Sequence, residues 1–222
     1  MSLWIKICGN TSLEDAQLAV EAGTDAVGFV FAPSPRRVTA AEAAAIVPHL
    51  PATVEKIGVF VDAPLEEIYS IVRECGLTGV QLHFDAKPEL PAKLRKLLGP
   101  QLRIVRVVHF DADAGELLKK EIADHALNPH IDAVMVDSRT TTAVGGTGAT
   151  FDWIAARKTL FRNPRACKRI AAGGLSPENV AEAIATLRPW GVDVVSGVEF
   201  APGRKDPNKV RGFIRSARAA FH

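Results

Sequence analysis

Eight short runs of apolar and β-branched residues recur along the chain, each followed by a longer amphipathic stretch that opens on capping or turn residues. The runs are LWIKIC (3–8), AVGFVF (26–31), EKIGVFV (55–61), GVQLH (79–83), RIVRVV (103–108), DAVMVD (132–137), KRIAAGG (168–174) and VDVVSG (192–197). Runs of this length, apolar on both faces, are buried strands, and strands that alternate with helices make parallel βα units. The helical stretches open at TSLED (11–15), TAAEA (39–43), DAPLEE (62–67), AKPEL (86–90), DADAGE (111–116), TFDW (150–153), SPENV (176–180) and DPNKV (206–210). Thr11 with Glu14 and Thr39 with Glu42 have capping-box spacing, and Ser176 before Pro177 joins a cap oxygen to a pre-set φ.

Eight such units at roughly 25 to 30 residues each predict an α/β protein with one (β/α)8 TIM barrel spanning residues 1–222. The competing architecture is a doubly wound open sheet, which carries GxGxxG after its first strand. Here that strand runs into CGNTS, and the glycine-rich GGTG (145–148) comes only after strand six.

Composition narrows the partners. An apolar fraction of 47% in 222 residues supports a sizeable core. The net charge is +2 with both signs interspersed, so neither nucleic acid nor a membrane surface is an expected partner and a small molecule is. Cys8, Cys75 and Cys167 form no CxxC pair and have no histidines at metal spacing, so reduced thiols in the cytoplasm and no metal site are expected. No exported leader and no membrane-spanning run is read from the sequence.

In a (β/α)8 barrel the chemistry gathers at the C-terminal ends of the strands. There stand Cys8 after strand one, Arg36 after strand two, Asp137 ending strand six, Gly173 and Gly174 ending strand seven, and Ser196 and Gly197 ending strand eight. Small residues at the last two ends let backbone N–H groups face an anion, so Gly173, Gly174, Ser196 and Gly197 are the expected phosphate cradle. The plainer reading makes them tight turns only, and makes Cys8 a small core hydrophobe. Alternation puts Lys6 and Cys8 on one face of the first strand, with a cation one layer beneath a thiol; that arrangement predicts a lowered Cys8 pKa.

The segments KICGNTSLEDA (6–16), DAVGFVFAPSPRRV (25–38), GVQLH (79–83), VDSRTTTAVGGTGATFDW (136–153), AGGLSPENV (172–180) and GVDVVSGVEFAPGRKDPNKV (191–210) resemble phosphoribosylanthranilate isomerase from end to end. The resemblance implies a (β/α)8 barrel that performs an Amadori rearrangement in tryptophan biosynthesis without a cofactor. It converts N-(5-phosphoribosyl)anthranilate to 1-(2-carboxyphenylamino)-1-deoxyribulose 5-phosphate. By position it implies Cys8 as general base, Asp137 as general acid and Arg36 as the anchor of the anthranilate carboxylate, with the adjacent Arg37 as the competing register. Val195 and Phe84 depart from residues common in the family.

Ring opening needs a protonated acid, which a buried barrel mouth promotes for a carboxyl. A thiolate then removes the C2 proton of the iminium sugar. Gln81 and His83, on one face of strand four, and Asp193, entering strand eight, are candidate substrate contacts. Cys75, Cys167, Trp4, Trp153 and Trp190 read as packing residues. A monomer and a homodimer are both compatible with the sequence. Competing functions are another phosphosugar barrel, such as indole-glycerol-phosphate synthase or a pentose-phosphate epimerase, and a non-enzymatic anion-binding protein; neither needs the pair of Cys8 and Asp137.

Overall fold

All eight apolar runs are strands: β1 (Trp4–Ile7), β2 (Ala26–Val30), β3 (Glu55–Val61), β4 (Gly79–His83), β5 (Arg103–His109), β6 (Ala133–Asp137), β7 (Lys168–Ala172) and β8 (Gly191–Val194). They are hydrogen-bonded in chain order into a closed parallel barrel. Closure pairs β1 with β8, Trp4 against Gly191 through Ile7 against Val194, so that Lys6 lies directly beside Asp193. The computed structural model describes residues 2–83, 87–109, 120, 124–125, 127–137, 153, 156–157, 161 and 167–221. The helix starts expected at 111–116 and 150–152, with Phe84 and GGTG (145–148), lie outside them.

Period-two alternation sorts each strand between two environments. Outward residues such as Ile5, Ile7, Val80, Leu82, Val134 and Val192 pack against the helices, with Ala16, Ile68, Leu94, Ile184 and Phe213 among their buried neighbours. Inward residues Trp4, Ala26, Ile57, Val105, Ala133 and Ile170 fill the barrel with apolar side chains, and Trp190 stacks on Trp4 at 5.3 Å between ring centroids. Above this apolar filling the interior turns polar, which prepares a site at one end.

Helices α1 (Leu13–Glu21), α2 (Ala40–Ile46), α3 (Leu65–Cys75), α4 (Leu90–Leu98), α5 (Val180–Leu187) and α6 (Pro207–Ala220) cover the barrel among the described residues. The capping box of Thr39 and Glu42 is present in both directions. In α1 the cap is Ser12, which accepts from Asp15 N, whereas Thr11 Oγ1 donates to Gly203 O at 2.7 Å. Two adjacent hydroxyls with acids three residues on are indistinguishable by spacing alone, and the tertiary bond to Gly203 decides between them. Ser176 starts a turn one step before α5, its carbonyl accepting from Asn179 N and Val180 N. Asp206 caps α6 through Asn208 N and Lys209 N, with Pro207 in its first turn. Between β8 and α6 the chain makes a small antiparallel hairpin, β9 (Glu199–Ala201) with β10 (Arg204–Lys205), turned at Gly203 with φ +78°. Among the described residues no helix is long and apolar enough to cross a membrane.

Candidate active site

Cys8 follows β1 directly and is held from both sides. Its N–H donates to Val194 O at 2.9 Å, while Asn10 donates through its backbone N to Gly28 O and through Nδ2 to Ile7 O and Gly28 O. The thiol faces the barrel interior and rests on Gly28, where any Cβ would meet Cys8 Sγ at 2.5 Å and Lys6 Cε at 2.9 Å. Only glycine admits that approach.

Beneath the thiol lies a buried polar chain. Lys6 Nζ donates to Asp193 Oδ1 at 2.7 Å and to Gln81 Oε1 at 2.8 Å, and Gln81 Nε2 is 2.9 Å from His83 Nε2. An ammonium only donates, so Gln81 turns its oxygen toward Lys6 and its amide NH₂ toward His83. The His83 ring then accepts at Nε2 and carries its proton on Nδ1 in this network. Gln81 and His83 therefore join the Lys6–Asp193 pair from the β4 side of the barrel.

The cation does sit under the thiol, but the direction of its effect differs from the sequence expectation. Burial pushes the Cys8 thiol above its ordinary pKa; Lys6 pulls it down, and Asp193 pushes it up again. Asp193, paired with Lys6 at 2.7 Å, offsets part of the lysine's pull, and desolvation, the largest influence, wins. Burial opposes the Lys6 charge too, yet Asp193 and Cys8 outweigh it and hold the ammonium above its ordinary value.

Asp137 ends β6, buried, in register with Ala172 of β7 and His109 of β5. It lines one cleft together with Gly173, Gly174, Asp193, Ser196 and Gly197. Gly173 and Gly174 both have left-handed φ, +84° and +64°, which favour glycine. Gly197 packs so closely on Leu175 O that a Cβ there would collide with it, so the ends of β7 and β8 are pressed together. Asn179 braces this loop, donating from Nδ2 to Gly174 O and accepting from Ser176 N. The four residues expected to cradle a phosphate thus stand in one cleft with Asp137, at the end of the barrel where Cys8 leaves β1. Going round the barrel, β7 and β8 separate β6 from β1.

Arg36 lies in the loop after β2 and grips Glu199 with two nitrogens, Nε at 2.9 and 3.0 Å from the two carboxylate oxygens and Nη2 at 2.6 Å. Arg37 is exposed. Glu199 also receives Lys205 Nζ at 3.0 Å, and Lys205 donates to Cys8 O at 2.6 Å. Burial pushes Glu199 up, but its bonds to Arg36 and Lys205 bring it below the ordinary carboxylate range. Sequence reasoning missed Gly28, Glu199 and Lys205. The signal available for the last two was the Pro202-Gly203 dipeptide between two short runs, which marks a hairpin turn.

The arrangement combines a glycine-lined cleft, a buried carboxyl, a buried thiol and a guanidinium at one barrel mouth. The family model for N-(5'-phosphoribosyl)anthranilate (PRA) isomerase matches residues 5–216. The chain is 43% identical over 218 residues to N-(5'-phosphoribosyl)anthranilate isomerase from Trichlorobacter lovleyi, covering 98% of each protein. The crystal structure of phosphoribosyl anthranilate isomerase from Thermotoga maritima is similar with a TM-score of 0.85 at 35% identity, over 98% of this chain and 99% of that one. A second crystal structure of such an isomerase, in complex with reduced 1-(o-carboxyphenylamino)-1-deoxyribulose 5-phosphate, is similar with a TM-score of 0.82 at 33% identity, over 98% and 99%. A closed eight-stranded barrel, full-length sequence identity above 40% and a family model covering nearly the whole chain agree, and the chain belongs to the N-(5'-phosphoribosyl)anthranilate isomerase family.

Proposed function

We propose that this chain catalyses the Amadori rearrangement of N-(5-phosphoribosyl)anthranilate to 1-(2-carboxyphenylamino)-1-deoxyribulose 5-phosphate in tryptophan biosynthesis, with Asp137 as general acid and Cys8 as general base. The observation that carries the reading is the single cleft in which Asp137 meets Gly173, Gly174, Ser196 and Gly197, at the same barrel end as Cys8. The cradle takes the phosphate, Arg36 takes the anthranilate carboxylate, and the sugar carbons lie between them. Asp193, Gln81 and His83 support the site through Lys6, and Asp193 also lines the cleft.

Asp137 gives its proton to the ring oxygen as the C1–O bond breaks, and the nitrogen lone pair forms an iminium. The Cys8 thiolate removes the proton from C2, and the C–H electrons form a C1=C2 bond while the iminium π electrons return to nitrogen. The enolamine tautomerises to the ketone, with the C2 hydroxyl losing a proton and C1 gaining one. The iminium is the electron sink, so the scheme draws on no further cofactor. Its positive charge, formed beside the thiol, favours the thiolate that burial disfavours in the free site. The net charge of +2, with both signs interspersed, accords with a small phosphosugar ligand and a cytoplasmic enzyme.

The test is an assay following loss of phosphoribosylanthranilate fluorescence with the purified protein. Catalysed consumption with formation of the ribulose product is expected. Binding of the substrate without turnover would overturn the reading in favour of an anion-binding protein.

A further inference from the structure

We propose that Glu199 and Lys205, at the two ends of the β9–β10 hairpin, are positioning residues that lock the carboxylate anchor Arg36 and the general base Cys8 into one rigid unit. The inference deepens the function proposed above and rests on it.

Lys205 is wholly buried, and its ammonium has three acceptors for its three protons: Cys8 O at 2.6 Å, Glu199 Oε1 at 3.0 Å and Val195 O at 3.4 Å. Glu199 is saturated in turn, taking two nitrogens of Arg36, Lys205 Nζ and Gly203 N at 3.3 Å. Arg36 Nη1 makes no hydrogen bond among the described residues, which leaves that nitrogen for a ligand carboxylate. The stem of Arg36 lies on Gly9, the residue after Cys8: at φ +73°, a Cβ there would meet Arg36 Cδ at 2.9 Å and Val195 Cγ1 at 3.1 Å. Anchor and base are therefore joined twice, through one residue of backbone and through the hairpin.

Charged clusters taken out of water contribute little net stability compared with apolar packing of the same volume, but they fix direction. Here the direction fixed is that of two groups between which the substrate must fit. The ligand is held by its carboxylate at one end and its phosphate at the other, so the base meets C2 only if its offset from the anchor is set in advance.

The two arms of the cluster should separate kinetically. With a displacement of about 1 Å able to cost up to ~10²-fold, Lys205→Met should lower kcat by roughly ten- to a hundredfold with KM little changed, since it releases the Cys8 carbonyl. Glu199→Gln should raise KM roughly tenfold with a smaller effect on kcat, because it loosens the guanidinium while keeping volume and one acceptor oxygen. In an Arg36→Lys background Glu199→Gln should add little further to KM, the non-additivity expected of groups that act through one another. A merely structural role would lower the melting temperature and leave kcat and KM of the folded fraction unchanged, and that result overturns the inference while the proposed function stands. If Lys205→Met does not fold, the Glu199→Gln cycle decides by itself. If the wild-type protein turns over no phosphoribosylanthranilate, the proposed function fails, and the rate of iodoacetamide reaction at Cys8 still judges the hairpin: a rate altered several-fold by Glu199→Gln supports the coupling, and an unaltered rate overturns it.

Discussion

The sulfur of Cys8 lies 2.5 Å from the point where a Cβ on Gly28 would stand, so the neighbouring strand gives up a side chain to seat the thiol. Lys6 Cε, 2.9 Å from the same point, occupies the layer below. Gly28→Ala should therefore shift the thiol and its supporting lysine together. Overpacking of this kind typically costs ~1–3 kcal/mol. The expected outcome is a lower melting temperature and a turnover loss larger than the loss of folded protein explains. Turnover equal to wild type in the folded fraction would show that the site has room the geometry denies.

The raised Cys8 pKa has a direct chemical readout. Only the thiolate reacts with iodoacetamide, and below its pKa the thiolate fraction grows tenfold per pH unit. Since burial pushes Cys8 up, alkylation of the Cys8 peptide should keep rising through pH 8.5, near the ordinary cysteine value of ~8.5, without levelling off. Lys6→Met removes the charge that pulls the thiol down and should move the profile to still higher pH. A plateau reached by pH 7 would mean a preformed thiolate and would contradict the balance of burial, Lys6 and Asp193 described above.

Arg36, not Arg37, should be the carboxylate anchor. Arg36 is turned inward onto Glu199 while Arg37 is exposed. A guanidinium fork binds Glu199 and a ligand carboxylate at once, which a lysine ammonium does less well. Arg36→Lys should raise KM at least tenfold, about 1.4 kcal/mol of binding, and Arg37→Lys should leave it near wild type. The reverse pattern would place the ligand one residue along the loop.

The barrel was legible because its strands are continuous apolar runs, the pattern of strands buried on both faces, and their ends moved by only a few residues. Lys6 in the midst of LWIKIC did not break that pattern, since its charge is met inside the barrel. Gly173, Gly174 and Gly197 were legible because left-handed φ and close backbone approach leave a mark in the sequence as glycine. Partnerships across the chain leave no such mark. Glu199 is 163 residues from Arg36, and Asp193 is 187 from Lys6. The first hid the bracing of Arg36. The second hid a carboxylate that offsets part of the Lys6 pull, while burial, the larger influence, turns the Cys8 pKa opposite to the expected direction. Gly28 was overlooked because a glycine inside a strand reads as a weak spot until the side chain that needs the space is known.

The central claim is that a thiol on β1 and a carboxyl on β6 divide the proton transfers of the rearrangement, and turnover of phosphoribosylanthranilate by Cys8→Ala and Asp137→Asn tests it most directly. Both substitutions are small, so both proteins should fold, with melting temperatures near wild type. General acid and base groups each contribute typically ~10²–10⁴-fold, and each variant should lose kcat on that scale while still binding the product. Near-normal turnover in either folded variant would contradict the account.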